Sequence, residues 1–578
     1  MPHRFYFFLI GILLTMPSCG HDEDTREIRR REFSEFEAAE QNDAVDKAMP
    51  FLPMLLQFEN GPILRDFNNQ VNSWAILQKT SPTWKRTSLW DAMPPSLLAT
   101  DFGKRIDKIE FADLESEYLS QCKLMKDVGR WIVERPYRDR LFSPWLKQQS
   151  VKLKSEDAIQ LEKSMKIFDW TMRNVALEGD AKDIEALIQD PRLPLTDLGA
   201  GYRATAWQTM VFGRGDALQR TRVFTQLLFQ QNISAVILAL PDLTKNEGVD
   251  DQLLWCVGVP IAEEIYLFET RFGLPLPLAD LAEVATLREA KTNPSVLRRA
   301  KLPGRFDYPV SAEQLTSVIA LLDVEPFALG QGMKVLEERL TGEFRMKLSI
   351  DADGIAEKLK AIEPDLQVKL WQLPWLAQIY HRNLRSRIHD LSQFSIQYMS
   401  EFGAYLNESV IQEARMAHLN GLFQSTIDVV GAPKKYMDIR IDDGTLAKLE
   451  YDADIQRMLQ VVRRSNENQE EFLYRIRLSQ QFYRAAKLDS NAFLGILQFE
   501  LDNLDSSIDW LNRRLLQING PERWRAHAKY ILGRAYEERE QISESLAWYK
   551  NEGVPQEAGN RIRARLLEKM HAAKLQSK

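Results

Sequence analysis

Cysteine and histidine are the residues that would decide whether this chain performs nucleophilic chemistry, and both are scarce. Cysteine stands at 19, 122 and 256, and histidine at 3, 21, 381, 389, 418, 527 and 571. A thiol becomes a nucleophile when an adjacent imidazole takes its proton and a third group orients that imidazole. The stretch from Asp22 to Tyr380 contains no histidine, so Cys122 and Cys256 have no base near them in sequence. Cys256 lies between Trp255 and Val257 in an apolar run, the setting of a packed thiol. No Gly-x-Ser-x-Gly elbow supplies a serine nucleophile. No cluster of His, Cys and carboxylate has metal-ligand spacing, and no metal or other cofactor is expected. His381 and His389, near Asp390, read as structural or surface residues. Arg214-Gly215-Asp216 spells an integrin-binding tripeptide but reads as a helix-starting turn with Asp216 as the cap. Gly330-Gln331-Gly332, followed by Lys334, lacks the full phosphate-loop pattern and reads as a turn.

The elements around these residues are legible from hydrophobic period. The run FGRGDALQRTRVFTQLLFQQNISAVILALP, Phe212 to Pro241, is a glycine-bounded turn, an amphipathic helix from Ala217 to about Gln230, and an apolar strand, ISAVILAL. LLWCVGVPIAEEIYLFET reads as two strands joined by a polar turn from Ala262 to Glu264. A helix packed on such a sheet is α+β in class. SEDAIQLEKSMKIFDWTMRNVALE and LESEYLSQCKLMKDVGRWIVE carry helical apolar faces, whereas SPWLKQQ and LWDAMPPSLLA read as packed loops. Between Val310 and Tyr380, FRMKLSI and LQVKLWQL are strand candidates flanking the helix DGIAEKLKAI. From His381 onward the chain turns helical, and IQEARMAHLNGLFQSTIDVV has the shape of a helical hairpin element.

The central segment, roughly Leu161 to Pro277, resembles the transglutaminase-like superfamily, which shares the papain-like core. Gly215-Asp216-Ala217 opens the helix where that family has Gly-x-Cys, and Asn232-Ile233-Ser234-Ala235 enters the strand where it has Gly-Ile-x-Ala. The resemblance puts the family's nucleophile on Ala217, its histidine on Leu253 or Leu254, and its aspartate on Glu269, in Phe268-Glu269-Thr270. It thus implies a core without the Cys/His pair. Ala217, Leu254 and Glu269 are the vestigial positions, and Trp207 and Trp255 are candidate walls of any groove beside them. Glu269 is either a retained polar anchor or a structural hydrogen-bond acceptor.

The flanking segments complete the expectation. MPHRFYFFLIGILLTMPSCG has a short apolar run from Phe5 to Met16, the length of a signal peptide, and its Met16-Pro17-Ser18-Cys19 resembles a bacterial lipobox with Cys19 as the lipidated residue. A charged tether, 20–48, follows. Near the other end, FLGILQFELDNLDSSIDWLNRRL aligns with ILGRAYEEREQISESLAWYKNEG at a period of 38, superimposing Gly495 on Gly533, Ser507 on Ser545 and Trp510 on Trp548. Large apolar residues around a glycine at a helix crossing resemble the tetratricopeptide (TPR) repeat. The expected order is signal peptide 1–19, tether 20–48, helical region 49–160, transglutaminase-like core 161–300, mixed α/β region 301–380 and TPR-like helices 381–578. A net charge of −7 over 578 residues advertises no nucleic-acid surface. The expectation is an envelope lipoprotein, membrane-anchored and facing the periplasm or exterior, that binds a protein or peptide without catalysis. The alternative is an amide-bond hydrolase or transferase of altered mechanism, acting on peptide or cell-wall substrates.

Overall fold

Two short strands, β1 (Ala176–Leu177) and β2 (Arg214–Gly215), pair in parallel just before the 217–230 helix. Six more form the main sheet: β3 (Val236–Pro241), β4 (Gln252–Ile261), β5 (Glu264–Glu269), β6 (Leu274–Pro275), β7 (Ile319–Leu322) and β8 (Gln367–Leu370). Their spatial order is β6-β5-β4-β3-β7-β8. The computed structural model describes residues 43–55, 61–179, 204–241, 252–279, 282–379, 410–518, 520 and 522–576. The expected signal peptide, 1–19, and most of the expected tether lie outside these, as do His381 and His389. Among the described residues no helix is long and apolar enough to cross a membrane.

The sheet is antiparallel except between β7 and β8. Parallel neighbours need a crossover, and the helices Gln331–Arg339 and Ala352–Ile362 lie within it. A single sheet therefore crosses from the 161–300 segment into the 301–380 segment. One face of β5 meets the helices Ser155–Asn174 and Ala217–Gln230, where Phe168, Phe224 and Phe268 form a triangle with ring centroids 5.1 to 5.3 Å apart. The chain is thus helix-rich with one small mixed sheet, an α+β arrangement.

Three local expectations are corrected. FRMKLSI alternates apolar and polar residues yet is no strand. Its Leu348 and Ser349 amides donate to the Glu337 carboxylate at 2.7 Å, and Lys347 exchanges backbone bonds with the Gln230 amide. Side chains have replaced the ladder. SPWLKQQ is not a loop but part of a helix, Ser143–Lys152, which begins on Pro144 in its first turn and buries Trp145 and Leu146. Of the presumed hairpin beginning at Ile411, only Val410–Leu419 is helical, because Gly421 turns the chain at φ +69°.

The 38-residue period is a real structural repeat of helix pairs. Helix Gln469–Glu500 turns into Leu504–Ile508, which continues with π-helical winding over Asp509–Leu516, and Glu522–Glu538 turns into Ile542–Tyr549. Both turns place a left-handed residue at the same point, Asp502 at φ 67° and Glu540 at φ 59°. In each pair the second helix donates a serine hydroxyl to the facing glycine carbonyl, Ser507 to Gly495 at 2.8 Å and Ser545 to Gly533 at 2.9 Å. A Cβ on Gly495 would overlap the Leu511 side chain, and one on Gly533 the Tyr549 ring.

Those overlaps set an expected outcome. Gly533→Ala should lose about 2 kcal/mol through overpacking, read as a lower denaturant midpoint, since the buried Tyr549 ring is held by its bond to Glu537. Gly61→Ala, whose Cβ meets nothing within 4 Å, should be neutral or slightly stabilising.

Candidate functional site

The start of the 217–230 helix is built by its own cap. Asp216 accepts from the Gln219 amide at 2.8 Å, and the Gln219 side chain accepts from the Asp216 amide at 2.9 Å, a reciprocal box that satisfies two otherwise orphan donors. The preceding helix, Ala206–Phe212, starts with the same device at Thr205 and Gln208 and ends on Gly213 at φ 67°. Gly213 leaves no room for a side chain, because the rings of Phe493 and Trp524 lie against it. These two caps and β2 between them place Ala217 at a helix start beside the end of β5, where it remains partly exposed.

The residue that reaches this helix start from β5 is Thr270. Its hydroxyl donates to the Ala217 carbonyl at 3.1 Å and is 2.9 Å from the Thr221 hydroxyl. Since the threonine proton is committed to Ala217, Thr221 is the donor to Thr270. Side chains alternate along a strand. Phe268 and Thr270 face the helices, while Glu269 turns to the opposite side and is fully buried there. Tyr308 donates to the Glu269 carboxylate at 2.8 Å, and Trp255 Nε1 donates to the Tyr308 hydroxyl at 2.6 Å. The Arg271 guanidinium bridges Glu269 at 3.2 Å and donates to the carbonyls of Trp255 at 2.9 Å and Leu254 at 3.4 Å. Burial, then the neighbouring Glu269 charge, pushes the Tyr308 hydroxyl and the Cys256 thiol well above their usual values, so both stay protonated.

The expected positions are therefore only partly brought together. Ala217 and the end of β5 adjoin, but Glu269 bonds to Arg271 and Tyr308 behind the sheet. Leu254 contributes a backbone carbonyl to Arg271, and Trp255, 3% exposed, is core. Trp255 is also the extra residue of a bulge, since Leu238 pairs with Cys256 and Ala239 with Leu254. Trp207 is half-buried against the same core. Thr270, Tyr308 and Arg271 are the residues that sequence reasoning missed. Strand alternation from Phe268 could have found Thr270, whereas nothing local points to Tyr308, which lies 39 residues from Glu269.

The two buried imidazoles, His418 and His527, are engaged elsewhere, and His571 lies exposed on the last helix. His418 Nδ1 lies 3.2 Å from Arg415 and 3.4 Å from the Tyr436 hydroxyl. Burial, reinforced by Arg415, holds its pKa well below the usual value. His527 Nε2 lies 2.8 Å from the Arg173 carbonyl, and burial and then Arg220 bring its pKa down to about 3. Both are neutral around pH 7, and neither hydrogen-bonds to the 217–230 helix.

Tyr308→Phe should cost about 2 kcal/mol in stability, because it strips an acceptor from the buried Trp255 indole and a donor from the buried Glu269. Chemical denaturation monitored by circular dichroism measures this, and a change under 0.5 kcal/mol, roughly the floor for an ordinary hydrogen bond, would contradict the assignment.

Comparisons of this chain with protein-family models, with curated proteins and with solved structures found no match in any of the three.

Proposed function

We propose that this chain is a non-catalytic, lipid-anchored binding scaffold of a bacterial cell envelope, built on a transglutaminase-like core and TPR-like hairpins. The observation that carries the reading is the use made of the candidate site. The helix start where a thiol would stand holds Ala217, with its carbonyl tied to Thr270. The acid that would complete a triad, Glu269, is spent on Arg271 and Tyr308 across the sheet. The side chains of Asp216, Gln219, Thr221 and Thr270 and the Ala217 carbonyl are all engaged in bonds within the fold. The hairpins support the binding half of the proposal, because stacked helix pairs present extended surfaces to partners. Large apolar side chains remain exposed nearby, among them Tyr451, Met458, Tyr474 and Leu478, and such residues mark interaction surfaces when they cluster.

Two measurements test this. Ala217→Cys restores the thiol without a base. Its cysteine should react with iodoacetamide no faster than free cysteine at pH 7, and the variant, like the unaltered chain, should release no amine from peptide or peptidoglycan-type amides. Turnover by the unaltered chain would overturn the non-catalytic reading. For the anchor, intact-mass analysis of the membrane-extracted chain should show a lipid-modified Cys19 as the first residue, and Cys19→Ser should move the protein to the soluble fraction. An unmodified or retained leader would remove the lipid anchor from the proposal.

A further inference from the structure

A run of buried charge ends at the C-terminus of helix Glu522–Glu538, and in it acids outnumber cations. Asp139, Asp169, Glu500, Glu537 and Glu538 meet three buried guanidinia, Arg173, Arg534 and Arg563. A fourth guanidinium, Arg140, reaches in from the surface. One carboxylate is therefore left to share a cation with solvent, and the bonds show which.

Arg563 holds both oxygens of Asp139, at 2.7 and 3.0 Å, and both of Glu537, at 2.8 and 2.9 Å. Arg534 donates to Asp169 at 2.6 Å and lies 3.9 Å from Asp139. Arg173 is divided between Asp169 and Glu500. None of the three bonds to Glu538. That residue pairs instead with Arg140, whose Nε lies 3.1 Å from Oε2 while its Nη1 lies 2.5 Å from the exposed Glu540.

The second oxygen of Glu538, Oε1, is buried and has no hydrogen-bond partner among the described residues. A charged oxygen without a donor is costly away from water, and a neutral carboxyl much less so. Glu538 is also the last residue of its helix, where the dipole and the free carbonyls disfavour negative charge. It faces Arg534 and Glu537 on its own helix, Asp139 and Arg140 on the 135–142 segment, Glu540 in the following turn and Arg563 on the last helix. Asp169 and the hydroxyls of Tyr137 and Tyr549 border the same charges. Burial, joined by the Glu537 and Asp139 charges and opposed by Arg534 and Arg140, pushes the Glu538 carboxyl up to about 7.

We propose that Glu538 is a proton-operated latch between the helix pair 522–549 and the 135–142 segment. With a proton on Oε1 the pair seats on Arg140 through Oε2, and loss of that proton leaves an unneutralised charge in the contact and loosens it. In an opened hairpin the carboxyl ionises at its ordinary value of 4.5, well before it does so in the closed one. Opening therefore becomes easier as pH rises from about 4.5 to about 7, and changes little above that. The latch is independent of the helix start at Ala217 and of whether the hairpins bind a partner.

Native-state hydrogen exchange of the full chain tests this, in the unaltered protein and in Glu538→Gln, a near-isostere of the protonated acid. Between pH 5.5 and 7.5 the opening constant of amides in residues 530–549 should rise about tenfold more in the unaltered chain than in the variant. Comparing the two chains cancels His527, whose pKa of about 3 acts in the opposite sense and makes opening easier as pH falls. Glu540→Gln removes the exposed acid that shares Arg140 and should keep the unaltered pH dependence. Four results would each overturn the proposal: a ratio between the chains that does not change with pH, a Glu538→Gln variant that opens more readily at high pH as after loss of an ordinary ion pair, a pH dependence that vanishes in Glu540→Gln as well, or an effect spread over the whole chain.

Discussion

The burial of Arg220 is the constraint on which the centre of this molecule depends. Its side chain is fully buried one turn into the 217–230 helix, and among the described residues no carboxylate hydrogen-bonds to it. Burying a guanidinium is costly unless its donors are used. Here Nε donates to Val175 O at 2.8 Å and the terminal nitrogens to Met172 O at 3.1 Å, Thr270 O at 3.1 Å and Gln556 Oε1 at 2.7 Å. Met172 and Val175 close the C-terminal end of the 155–174 helix, where a cation is favoured by exposed carbonyls and the helix dipole. Burial draws the Arg220 pKa down to about 9, which still leaves it charged at neutral pH. One residue thus fixes the registry of two helices, the turn after β5 and the entry to the last helix, Glu557–Gln576.

Around Arg220, a seam of buried ion pairs joins segments far apart in the chain. Arg563 pairs with Asp139 at 2.7 Å and Glu537 at 2.8 Å, and Tyr549 donates to Glu537 at 2.7 Å. Arg534 and Arg173 both hold Asp169, at 2.6 and 2.9 Å, and Arg173 goes on to Glu500. A buried pair is weak evidence for net stability, but breaking one strands a charge at a cost of several kcal/mol. The seam therefore acts mainly as a registry device. The C-terminal hairpins dock in the one position where each arginine meets its acid, and they belong to the same body as the 155–174 helix. This agrees with the general expectation that two repeat units are too few to stand alone.

What the sequence made legible follows from where the determining forces are local. The 217–230 helix, the hairpin of β4 and β5, and the helix–turn–helix period are written in hydrophobic spacing and in caps such as Asp216, so pattern reading reaches them. The Ser143–Lys152 helix was not legible, because its buried residues, Trp145 and Leu146, are adjacent and make no stripe. Residues 344–350 have the right alternation for a strand, but Glu337 and Gln230 supply the hydrogen bonds that a neighbouring strand would have supplied. Glu269 was recognisable as an acid near the end of β5. The side of the sheet it serves depended on Tyr308, and no local signal links the two.

The electrostatics of the helix start favour a structural role independently of any missing residue. A helix N-terminus lowers the pKa of a thiol placed there because its free amides and dipole stabilise the thiolate. In this chain the amide at Gln219 is already satisfied by the carboxylate of Asp216, the residue immediately before position 217. That carboxylate is 7% exposed, so its field is poorly screened and opposes a second negative charge beside it. The carbonyl of Ala217 is occupied by Thr270, and the next turn is committed to Arg220. A catalytic helix start needs unspent donors and room for a developing charge. Here the Gln219 amide is spent on the cap, the cap brings its own negative charge, and the Ala217 carbonyl is spent on holding the end of β5.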